Sequence, residues 1–287
     1  MAFTLTFANM EQGSIQRDEM QATDVASFLR KVQMPTVQHL LNASLEPTRA
    51  AIGALSQDQD PQQWVALHMI LGTALRLRAP QMPLRERTAA CVEAVHAFEA
   101  ALAECCVLRT ACELRGARMR TNAFSVKASA CASGPDGVQM VLDATTVPVG
   151  EGIEMLGSAI RVLTDSAENA DRHTEPRAWV VARSNLGCAL TLLGQRTHGL
   201  EGIQRIEQAI RVLREAASAC IGDGFLQERA STYVNLSEAF QVMAERAMPG
   251  ERLRYMEQSL DWIAASLGCF APPDYQWLLQ VDQAAFA

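Results

Sequence analysis

Cys105 and Cys106 stand side by side, with Cys112 following and His96 upstream. Thiolates and an imidazole are the ligands zinc takes, about four of them in a tetrahedron. A helix would bring Cys105 and Cys112 onto one face. The chain has no Cys-x-x-Cys pair, however, and no fourth ligand at a matching spacing. Buried helical thiols are the expected state. The five histidines, His39, His68, His96, His173 and His198, are scattered, with no His-Glu-x-x-His and no local Cys-His pair. They are expected to pack or to be solvated. The stretch GEGIEML, residues 150–156, opens a helix with two glycines, and helix N-termini hold phosphate through free amides. The next glycine is Gly157, which breaks the dinucleotide spacing, and Glu151 and Glu154 would repel an anion. These residues therefore predict no catalytic centre, no cofactor and no metal.

Composition points the same way. The 287 residues are 49% hydrophobic and only 6% aromatic, a helix-rich profile with ample material for a core. A formal charge of −7 argues against a general nucleic-acid binder, which needs clustered basic charge. Basic charge is almost entirely arginine, the only lysines being Lys31 and Lys127. No run of 18 apolar residues is present, so no membrane insertion is expected. MAFTLTFANMEQGS lacks the basic start of a signal peptide, which makes the cytoplasm the expected location and reduced thiols the expected state of the eight cysteines.

What would position any functional side chain is a repeat. AIRVL occurs at 159–163 and again at 209–213, within GIEMLGSAIRVL and GIQRIEQAIRVL. A second register joins PQQWVALHMILGTAL (61–75) to PRAWVVARSNLGCAL (176–190), pairing Pro61, Trp64 and Gly72 with Pro176, Trp179 and Gly187. A further copy follows, with NLSEAF (235–240) matching NLGCAL (185–190) and MEQSL (256–260) matching IEQAI (206–210). Each unit reads as two helices. The first begins at proline, whose missing N–H costs nothing at a helix start. The second carries apolar residues at 203, 206, 210 and 213, one stripe down a helix. Gly72 and Gly187, replaced by Ser237 in the third copy, predict places where two helices touch closely.

The spacing divides the chain as follows. Residues 1–58 form a helical N-terminal cap, with helices over 23–33 and 46–56 and a strand-like MAFTLTF. Residues 59–270 hold the repeats, at about 59–106, 107–170, 174–220 and 224–268. The second of these is degenerate: its first helix aligns near 108–124, and an inserted loop of about 15 residues falls within 125–150. The apolar Met140, Val141 and Leu142 lie in that loop and either fold back on the stack or dock into a groove. Residues 271–287 form a C-terminal capping helix after Pro272-Pro273.

Pro176, Trp179, Asn185, Leu186, Gly187, Ala189, Leu190, Leu193, Gly194 and Arg196, with Gln208, Ala209 and Leu213 more loosely, carry a resemblance. The pattern resembles the long-unit tetratricopeptide repeats (TPRs) of bacterial proteins, over about residues 60–268. Its units are 50 residues rather than the usual length of about 34. The resemblance implies an all-α fold, an α-solenoid of antiparallel helical hairpins wound as a right-handed superhelix with helical caps. It also implies a non-enzymatic scaffold or adaptor that holds a protein or peptide partner in a concave groove lined by the first helices. By position, that groove takes Ala66, Met69, Thr73 and Arg76, then Val181, Ser184, Asn185, Cys188 and Thr191, then Ser231, Val234, Asn235, Glu238 and Gln241. Asn185 and Asn235 stand where related repeats grip a peptide backbone, or else they make contacts within the stack. The basic pair that clamps a C-terminal carboxylate in some relatives is absent at Val181 and Ser231. A regulatory module that takes a small ligand or signalling peptide is the alternative function, and an enzyme on a helical scaffold a third. A homodimer through the open ends of the stack is a further expectation.

Overall fold

The computed structural model describes residues 4–5, 20–21, 45–55, 61–109 and 135–270. Apart from one two-residue ladder, the fold is all-α. The described helices are α1 (Leu45–Ala54), α2 (Pro61–Arg78), α3 (Leu84–Arg109), α4 (Pro135–Ala144) and α5 (Val149–Asn169). They continue with α6 (Pro176–Arg196), α7 (Gly199–Ala219), α8 (Leu226–Arg246) and α9 (Pro249–Phe270). They fall into two compact units, α1–α3 in one and α4–α9 in the other.

In the first unit, strand β1 (Thr4–Leu5) pairs antiparallel with β2 (Met20–Gln21), a partner for these two residues that the sequence did not point to. The expected helix over 46–56 is α1; the one over 23–33 lies outside the described residues. Helices α2 and α3 form a hairpin in which Gly72 meets the fully buried Phe98. A Cβ on residue 72 would sit 2.6 Å from that ring, so the sequence omits one. Arg49 on α1 grips both carboxylate oxygens of Glu93 on α3, at 2.8 and 2.7 Å, the fork geometry that makes arginine–carboxylate pairs directional.

The second unit is three hairpins, α4–α5, α6–α7 and α8–α9, repeating every 50 residues. Gly187 faces Leu213 and Gly194 faces Ile206, so α6 and α7 run antiparallel. Ser237 Oγ lies 2.9 Å from Ser259 Oγ, and Ser266 Oγ donates to the Ala230 carbonyl at 2.9 Å, which sets α8 and α9 antiparallel too. Between hairpins the first helices run side by side in parallel. Arg177 pairs with Glu228, Asn235 and Thr232 reach Ser184, and Arg246 reaches Thr197, all at offsets close to one repeat.

Burial follows from the sequence pattern of each helix type. The second helices are amphipathic: Leu156, Ala159 and Leu163 on α5 and Ile206, Ala209 and Leu213 on α7 are buried at spacings of three and four. The middle of α6 is covered on every side: each residue from Ser184 to Gly194 is buried, the polar Ser184, Asn185 and Thr191 included.

One expectation is corrected here. The expected inserted loop does not hold over the described part of 125–150: α4 occupies Pro135–Ala144 and α5 begins at Val149, while 125–134 lie outside the described residues. Gly137 packs against Val162 and Leu163 as Gly187 packs against Leu213, so α4 is the first helix of its hairpin. From Gly137 to Gly152 the register matches Gly187 to Gly202, leaving no surplus within the hairpin. The extra residues fall before 135, outside the described residues, as do most of 108–124 and all of 271–287. Val141 is buried in the unit's own core, with Met140 and Leu142 packed against it.

Candidate partner-binding surfaces

The expected groove residues all lie on first helices, but they are not presented to solvent as an open lining. Met69 and Thr73 on α2 are buried and Arg76 is half-buried. On α6, Val181, Ser184, Asn185, Cys188 and Thr191 are buried; on α8, Ser231, Val234 and Asn235 are buried, and Glu238 and Gln241 half-buried. Parallel packing of α6 on α8 accounts for part of this. The Asn235 Nδ2 group donates to Ser184 Oγ at 3.1 Å, and Thr232 Oγ1, which donates to the Glu228 carbonyl at 2.7 Å, lies 3.3 Å from the same serine oxygen. Thr191 Oγ1 turns back on its own helix, donating to the Gly187 carbonyl at 2.9 Å. The Asn235 amide thus holds hairpin to hairpin through Ser184.

Burial holds two thiols and one imidazole toward their neutral forms. Burial raises the Cys188 thiol far above its ordinary range, and the carboxylate of Glu238 adds to the effect. Burial likewise pushes Cys220 up to about 12. His68 is held below its ordinary value by burial, although its Nδ1 lies 2.9 Å from the Trp64 carbonyl oxygen. A thiol kept protonated is neither nucleophile nor metal ligand. His96, His173 and His198 are exposed. Among the described residues no three His, Cys, Asp or Glu side chains gather where they could hold a metal. Cys105, Cys106, Cys112 and His39 lie outside the residues whose side chains are described.

An arginine clasp, not foreseen from the sequence, recurs at two successive hairpin turns. Arg196, at the end of α6, donates through Nη1 to the Ala144 carbonyl at the end of α4, at 2.5 Å. One repeat on, Arg246 at the end of α8 donates to Thr197 and Gln195 carbonyls at 2.7 and 2.8 Å. The last carbonyls of a helix lack intrahelical donors and carry the negative end of its dipole, so a guanidinium is well matched to them. Each clasp needs room, and glycine supplies it. A Cβ on Gly152 would collide with the Arg196 guanidinium, and one on Gly202 with that of Arg246. The two glycines of GEGIEML therefore include one that is half of a packing device. The signal was present in sequence as Gly152/Gly202 and Arg196/Arg246, both 50 residues apart.

At the third hairpin the pattern changes. Arg252 occupies the position of Gly152 and Gly202, and its own Nε donates to the Ala244 carbonyl at 3.1 Å. Ala244 is the repeat equivalent of Ala144. The carbonyl that Arg196 satisfies from the next hairpin is here satisfied from within.

No protein-family model matches this chain, and no curated protein matches it either. Among the described residues no helix is long and apolar enough to cross a membrane.

Proposed function

We propose that the chain is a non-enzymatic protein-binding scaffold of the tetratricopeptide-repeat type, its hairpins wound as a right-handed superhelix in the cytoplasm. The observation that carries this reading is the 50-residue stacking of the second unit, with first helix on first helix and an arginine clasp between hairpins. A stack of this kind spends its polar side chains on joining repeats and offers an extended surface in return, which is the usual employment of helical repeats. The protonated state favoured for Cys188 and Cys220 and the neutral state favoured for His68 agree with structural rather than chemical roles. Helix α4, ten residues long, stands within 125–150, where a loop that could serve a ligand-sensing module was expected.

The test is proximity labelling and co-purification of the full chain at native expression level, against a tag-only control. A reproducible protein partner, mapped onto α4–α9 by hydrogen-exchange protection, is the expected result. Recovery of no protein above the control would overturn the reading.

A further inference from the structure

We draw no further inference here: the strongest candidate, the exposed apolar turn between α2 and α3 that carries Leu77, Pro80, Pro83 and Leu84, supports none because nothing in the structure shows what covers it.

Discussion

Gly187 meets Leu213 so closely that a methyl group at residue 187 would overlap the leucine branch, and Leu213 is fully buried. Gly187→Ala is therefore expected to destabilise the second unit by about 1–3 kcal/mol, despite alanine's higher helix propensity, because overpacking in a closed core outweighs it. Urea unfolding measures the loss, and Gly187→Ala with Leu213→Ala should cost less than the two single changes added together. The buried thiols predict a pH limb. Cys188 and Cys220 titrate higher in the folded chain than in the unfolded one, where a thiol has its ordinary value near 9. Above that pH the unfolded state alone releases the protons, so stability falls as pH rises, by up to about 1.4 kcal/mol per pH unit for each thiol. Denaturation series at pH 7, 9 and 10 should show the decline, and Cys188→Ala with Cys220→Ala should reduce it. His68 has the opposite sign. Its folded value lies below the unfolded 6.5, so the stability of the first unit is full above pH 6.5 and is lost as pH falls below it.

At the scale of elements, the clasp joins the end of one first helix to the end of the one before it. Arg246→Met keeps most of the side chain's bulk and removes two charge-assisted hydrogen bonds. A loss of about 1–2 kcal/mol is expected, at the low end for such bonds because the site is partly solvated. Amide exchange should quicken at the α6–α7 turn, around Thr197, more than at mid-helix; uniform quickening would argue that the clasp is not local. Helices with strong signals were readable in advance. Pro61 and Pro176 mark the starts of α2 and α6, and the 203, 206, 210, 213 stripe marks the buried face of α7. Helix α4 was not, because its Asp136-Gly137 lacks the Asn-Leu that precedes Gly187 and Ser237 in the later copies, and only the contact of Gly137 with Val162 and Leu163 reveals its register. The groove positions were assigned by analogy to helices with one open face. On α2 and α6 neighbouring helices cover those positions instead, Ser184 and Asn185 included.

For the molecule as a whole, stability of the second unit should behave as a sum of hairpins and their interfaces. Leu213→Ala, at a fully buried position between α6 and α7, is expected to cost about 2–5 kcal/mol, and Ile263→Val, in the last hairpin, about 0.5–1.5 kcal/mol. Chemical denaturation followed by circular dichroism would rank them, and a reversed order would show that the hairpins are not comparable modules. The replacement of glycine by Arg252 then carries a consequence for how such a chain could change length. A copy of residues 174–223 placed directly after the original brings its own Arg196 and its own Gly202, so both halves of the clasp are regenerated at each new junction. The same copy appended after α9 would meet an arginine where it needs a vacancy. Tandem duplication inside the array should raise helical content in proportion and keep cooperative melting, whereas the appended version should gain cooperativity only with Arg252→Gly. Lengthening is thus permitted from within and refused at the end, which gives the stack a direction of growth that its helices alone do not possess.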